Sequence, residues 1–142
     1  MAVIFTGAFG GWITWFIYRK QRFIAASDKF RNAIFTELEG LYPTPAKWPS
    51  REFQIVQVLR DKFPKLEIAV TEFRGHLNWI NRKRFDDTWS KYNKEYYYDY
   101  VPMTGKSYGK NGELIYEVDN TTSYKDNFKH NVDALLKFAK HP

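Results

Sequence analysis

The sequence contains no cysteine in its 142 residues. Disulfide bonds and thiol chemistry are therefore excluded, and this absence suits a reducing compartment. Proline and glycine are also missing between Tyr18 and Gly40, so nothing in that stretch interrupts a helix. The chain is long enough for one domain and too short for two of ordinary size.

Formal charge is absent from residues 1–18, and every Asp, Glu, Lys and Arg lies in residues 19–142. The run from Ala2 to Tyr18 is apolar and rich in aromatic residues. As a helix it would span about 26 Å, which is at the short end of what a bilayer core requires. The two parts of the chain are therefore suited to different solvents.

A basic cluster of Arg19, Lys20 and Arg22 follows the apolar run at once. The positive-inside rule places such a cluster in the cytoplasm. We therefore predict a single-pass transmembrane anchor over residues 1–22, with its N-terminus outside, and a cytoplasmic domain over residues 23–142 held at the inner membrane. A buried helix of a soluble protein and a cleaved signal peptide are the alternatives, although a signal peptide has its charge before the apolar region.

Two glycines of the apolar run, Gly7 and Gly11, lie four residues apart, and Thr14 extends their face by nearly one turn. Small residues at this spacing let the backbones of two helices approach closely in lipid. These three residues are therefore candidates for helix packing and for a homo-oligomer. Glycine is also common in transmembrane helices for no such reason.

The remainder of the chain predicts a mainly α fold, a helical bundle in which the first helix continues from the membrane segment without a break. Apolar residues spaced by three and four extend this helix to Gly40, where a proline-rich stretch follows. Four further helices are predicted: from a cap at Ser50 to Pro64, over residues 65–77, over residues 82–92, and after a cap at residues 121–123. The Asn111-Gly112 pair predicts a short β-hairpin near residues 107–118.

No catalytic or metal-binding pattern is visible in the sequence. His76, His130 and His141 have no second His or Cys at ligand spacing, and a phosphate-binding glycine loop and a serine nucleophile elbow are both absent. We therefore expect no cofactor and no enzymatic activity.

The net charge of +6 and the isoelectric point near 9.4 favour an anionic partner. A second basic cluster, Arg82, Lys83 and Arg84, lies between Trp79 and Trp89. With Arg19, Lys20 and Arg22 it forms the set of candidate anionic contacts. Lipid headgroups, nucleic-acid phosphates and simple solvation of a helix face all explain such a cluster, and nucleic acid is not the favoured reading.

Four tyrosines, Tyr96, Tyr97, Tyr98 and Tyr100, fall within five positions and cannot all point into one core. Exposed tyrosine is enriched where proteins meet partners. The four are therefore candidate protein contacts, together with the insert over residues 102–118, and packing of two of them in the core explains the run equally well.

Three segments carry a resemblance: residues 64–74, residues 84–92 and residues 127–136. Together they resemble small bacterial helical proteins that often follow a hydrophobic N-terminus, and the layout is similar to that of membrane effectors of anti-phage systems. The resemblance implies a membrane-anchored helical domain and no catalytic motif.

These observations predict a non-enzymatic membrane protein that self-assembles or binds a protein partner, and its sharpest form is a bacterial defence effector that perturbs the membrane. A membrane-tethered nucleic-acid-binding module and a passive tether for another protein are the alternatives.

Overall fold

The computed structural model describes residues 4–93 and 97–141. Within these ranges the protein is mainly helical, with four α-helices and one two-stranded antiparallel sheet. The elements are α1 (Ile4–Glu37), α2 (Gln54–Arg74), α3 (Trp79–Tyr92), a 3-10 helix (Tyr97–Tyr100), β1 (Thr104–Tyr108), β2 (Leu114–Asp119), α4 (Tyr124–Leu136) and a 3-10 helix (Lys137–Ala139).

Helix α1 is one continuous rod, as the missing proline and glycine predict. Residues 9–22 are exposed along their whole length, whereas Phe30, Ile34 and Leu38 are buried at the spacing of one helical face. Beyond the helix, Gly40 has a positive φ of 82°, a conformation that favours glycine, and an added Cβ would lie 2.8 Å from Lys47. The second half of α1 therefore belongs to the bundle, and the first half projects from it.

The predicted transmembrane span is not found. No helix in the described ranges is both long enough and apolar enough to cross a membrane. Helix α1 begins at Ile4 and reaches its first charge at Arg19. The uncharged part of the described helix, residues 4–18, therefore spans about 22 Å, against roughly 30 Å for the hydrocarbon core of a bilayer.

Helix α2 runs through Pro64, so the predicted break at that residue is wrong. The buried residues of α2 keep one helical face on both sides of the proline, and burying that face against α1 outweighs the lost backbone hydrogen bond. The predicted cap at Ser50 is also wrong, because the helix begins at Gln54. Ile68 is 61% exposed, since it lies on the opposite face from Leu66 and Val70.

The helices pack in antiparallel order. Lys29 pairs with Glu72 and Lys65 with Glu37, so the end of α2 lies beside the middle of α1. Helix α3 runs back along α2, and α4 runs back along α3. The α2–α3 connection and the C-terminal residues therefore meet at the end of the bundle from which α1 projects, whereas the sheet lies at the other end.

Helix α3 begins three residues earlier than predicted. The side chain of Asn78 accepts a hydrogen bond from the backbone N–H of Asn81 (2.8 Å) and so caps the helix. This start leaves Trp79 in the first turn, 79% exposed.

The predicted hairpin is present, with Thr104 paired to Asp119 and Tyr108 to Leu114. Gly112 in its turn has a φ of 79°, which the Asn-Gly signal anticipates.

Aromatic rings fill the core. Phe30 stacks on Phe73 with ring centres 4.7 Å apart, and Phe85 meets both rings edge-on. A second group joins Tyr92, Tyr100 and Phe128.

Candidate anionic-ligand site

A basic cleft lies at the point where α1 leaves the bundle. It consists of two adjoining depressions of about 400 and 520 Å³ that share Arg19, Phe23, His76 and Leu77. Its cationic or titratable lining residues are Arg19, Arg22, His76, Arg82, Lys137 and Lys140. We refer to this set of six as the basic cleft.

Four separate parts of the fold supply these side chains. Arg19 and Arg22 come from the last exposed turn of α1, and His76 comes from the connection that follows Gly75. Arg82 lies in the first turns of α3, while the two lysines belong to the C-terminal segment. The antiparallel packing of the helices brings these parts together.

Arg82 is held in place by the backbone but is not saturated by it. Its Nη2 donates to the carbonyl oxygen of Leu77 at 3.1 Å. Its Nε–H is buried and has no acceptor among the described residues. The described residues accept from Nη2 alone, so other N–H groups of the guanidinium fork remain for an oxygen ligand.

The cleft carries uncompensated positive charge. None of its described lining residues is acidic, and none of its six basic groups lies within ion-pair distance of a described carboxylate. Asp86 lies on α3, one turn after Arg82, and its two oxygens accept from Arg74 at 2.7 and 2.8 Å. This hydrogen bonding, with the attraction of Arg74 and Arg82, lowers the pKa of Asp86.

Two further features favour an anion in the cleft. Asn78 and Asn81, at the start of α3, line the larger depression, so the positive end of that helix faces this region. Phe23, Leu77 and Phe138 supply apolar walls. Charge interactions beside such walls are stronger than in open water.

The structure unites half of the predicted anionic contacts. Arg19, Arg22 and Arg82 meet in the basic cleft although some sixty residues separate the two clusters in sequence. Lys20 lies at its border, in a depression that also includes Trp15. Lys83 and Arg84 are exposed and do not line the cleft.

Sequence reasoning missed three residues of the cleft: His76, Lys137 and Lys140. No local motif includes them, and only the antiparallel order of the helices places them beside Arg19.

The predicted tyrosine contact surface is only partly formed. Tyr97 and Tyr100 are buried in the core, which corrects their assignment as partner contacts. Burial raises the pKa of Tyr97 to about 12 and that of Tyr100 still further. Tyr98 is exposed and in edge-on contact with Phe53. Tyr96 lies outside the described residues.

The predicted helix-packing residues lie in the projecting half of α1. A Cβ added at Gly11 would meet no atom within 4 Å, and the hydroxyl of Thr14 donates to the carbonyl oxygen of Gly10 at 2.9 Å. Gly7 belongs to the same helix. Their packing against another helix stays a prediction.

Comparison of the chain with models of known protein families, with curated proteins and with solved structures finds no match. The resemblance to small bacterial helical proteins therefore rests on its three sequence segments alone. In the part of the chain that the structure describes, no three His, Asp or Glu side chains are grouped as a metal site would require.

Proposed function

We propose that the protein is a non-enzymatic, membrane-anchored interaction protein, in which the projecting half of α1 inserts into a lipid bilayer and holds the helical bundle at the surface. The observation that carries the proposal is the exposure of residues 9–18, which contain no charge and include Phe9, Trp12, Trp15 and Phe16.

Apolar exposure on all sides of the helix supports lipid as the surrounding medium. A helix of a water-soluble bundle has one apolar stripe, whereas this segment is apolar around its circumference. Such a segment is stable when it is surrounded by other apolar groups. A bilayer provides them on every side.

The aromatic and basic residues at the end of this segment suit a membrane interface. The guanidinium of Arg19 lies 4.8 Å from the ring centre of Trp15, and that of Arg22 lies 5.6 Å from the ring centre of Tyr18. Aromatic rings followed by cations are typical of the boundary between hydrocarbon and headgroups. The short apolar length is compatible with insertion through local thinning of the bilayer and through basic side chains that reach the headgroups.

The first turn of α3 offers a second contact with the same surface. Trp79 and Ile80 are exposed at the end of the bundle from which α1 projects. Tryptophan is favoured at the level of the headgroups because its ring is apolar and its N–H is polar. The bundle would therefore touch the membrane at a second position beside the anchor.

Vesicle flotation tests the proposal with the full chain. We expect it to float with neutral phosphatidylcholine vesicles. Trp12→Ser combined with Phe16→Ser should lower the partition coefficient at least about tenfold, because two large apolar side chains no longer leave water. Phe53→Ser is the control, since Phe53 is 56% exposed and Phe16 is 59% exposed, but Phe53 lies at the other end of the bundle.

Equal flotation of the double variant and the wild type would reject insertion of this half of α1. Light scattering in neutral detergent, on the full chain and on a version that begins at Lys20, then separates the alternatives. A defined oligomer that is lost on truncation supports self-assembly through this helix. A monomer in both forms favours a tether.

A further inference from the structure

We infer that the basic cleft is a binding site for the phosphate of an anionic lipid headgroup. This inference rests on the proposed function and goes beyond it, because insertion of α1 requires no headgroup preference. The source of the phosphate is taken as a membrane lipid, since the cleft opens at the base of the inserting helix.

The cleft lies along α1 at the point where the uncharged segment ends. The uncharged segment ends at Tyr18, and the cleft begins with Arg19 and Arg22 in the next turn. A depression of about 290 Å³, lined by Trp15, Phe16 and Lys20 among others, connects the apolar segment with this basic region. When residues 4–18 lie in hydrocarbon, the cleft lies at the depth of the headgroups.

The chemistry of the lining also suits a phosphate. A phosphate oxygen is bound well by guanidinium groups, which donate in a planar fork. Arg22 and Arg82 line the same depression, and neither guanidinium forms an ion pair with a described carboxylate. Lys137 and Lys140 add two point charges on the other side of the cleft.

The basic cleft differs from a diffuse basic surface in that only some of the neighbouring basic residues line it. Lys83 and Arg84 follow Arg82 directly on α3, and both are exposed outside the cleft. Diffuse attraction to an anionic membrane depends on the number of charges near it, at about 1 kcal/mol for each. Binding in a defined cleft depends instead on which of the charges are removed.

Vesicle partitioning of the full chain provides the test. The measured quantity is the ratio of the partition coefficient for vesicles with phosphatidic acid to that for neutral phosphatidylcholine vesicles. We expect Arg22→Gln with Arg82→Gln to lower this ratio by more than about 30-fold, which is the loss that two diffusely attracted charges predict. The matched control is Lys83→Gln with Arg84→Gln, which removes the same charge, and its loss should not exceed about 30-fold.

Circular dichroism melting identifies a folding defect in the Arg82 variant, whose Nη2 also contacts the Leu77 carbonyl. Arg22→Gln alone keeps the test valid in that case, because Arg22 is exposed and makes no ion pair with a described residue. This single variant should lower the ratio by more than about fivefold, which is the loss that one diffusely attracted charge predicts. Equal losses in the cleft pair and the control pair would overturn the site in favour of diffuse attraction.

Two further arms identify the source of the phosphate. Binding of inorganic phosphate to the full chain in neutral detergent, with no preference for anionic vesicles, would overturn the lipid source. Binding of a single-stranded oligonucleotide that the cleft pair abolishes, while the vesicle ratio stays unchanged, would replace the lipid by a nucleic acid. Flotation with neutral vesicles is unaffected by all of these outcomes, so a failure of the cleft is distinguishable from a failure of membrane insertion.

Discussion

The two halves of α1 belong to one unbroken helix but have opposite surroundings. Phe30 in the second half is 2% exposed and lies between Phe73 and Phe85. Phe16, four turns earlier, has no partner in the bundle and contacts only Trp12 of its own helix among the rings that the structure describes. Both halves are rich in aromatic residues, so hydrophobicity alone does not distinguish a core from a surface that meets lipid. The difference lies in periodicity, since the second half has charged and polar residues on one face, whereas residues 4–18 contain no charged residue.

The largest expected effect comes from matched substitutions in the two halves. Phe30→Ala should lower the free energy of unfolding by about 3–5 kcal/mol, because it leaves a cavity among stacked rings. Phe16→Ala should change it by less than about 0.5 kcal/mol, since the side chain lies outside the core. Urea unfolding monitored by circular dichroism in neutral detergent measures both values. Similar losses in the two variants would mean that the first half also packs on the bundle.

Much of this contrast is readable from the sequence, because local rules govern it. The missing proline and glycine predicted the continuous helix, and the spacing of Phe30, Ile34 and Leu38 predicted the buried face. The Asn-Gly turn likewise predicted the hairpin. These features depend on residues that are close in the chain.

The failures share a different cause, which is tertiary packing. Pro64 was expected to end a helix, yet burial of the continuous apolar face of α2 keeps the helix intact. Tyr97 and Tyr100 were candidate contacts with core packing as the equal alternative, and they lie around Tyr92 in the core. The basic cleft was predicted only in part, because Lys137 and Arg19 become neighbours through the order of the helices.

At the buried end of α1, the phenol of Tyr42 donates a hydrogen bond to Asp133. This bond connects the turn that follows α1 with α4. Burial, together with this hydrogen bond and the charge of Asp133, raises the pKa of Tyr42 to about 12. Tyr42→Phe should therefore lower the free energy of unfolding by about 1 kcal/mol at pH 7. The raised pKa means that this contribution is present below pH 10, the ordinary tyrosine value, and is lost as the pH rises through about 12.

The matched control for this substitution is Tyr18→Phe in the projecting half. Tyr18 is exposed, and its phenol makes no hydrogen bond to a residue that the structure describes. Thermal melting of both variants at pH 7 and at about pH 11 tests the pair. If Tyr18→Phe destabilised the fold as much as Tyr42→Phe, the two halves of α1 would not differ in their attachment to the bundle.

The smallest expected effect concerns the ion pair between Arg74 and Asp86, which lies at the end of the bundle from which α1 projects. The hydrogen bonds from Arg74 lower the pKa of Asp86. The ion pair therefore stabilises the fold at pH values above the ordinary Asp pKa of about 3.9. This stabilisation is lost as the pH falls through the lower pKa of the folded state. Asp86→Asn should lower Tm by about 1–3 °C at pH 7, a modest change because both side chains are partly exposed. The difference between wild type and variant should shrink between pH 7 and about pH 3, where the carboxyl begins to be protonated. Asp87→Asn removes the same charge from the adjacent exposed residue and should show no such convergence. A constant difference at both pH values would mean that Asp86 stabilises this end of the bundle by packing and not by its charge.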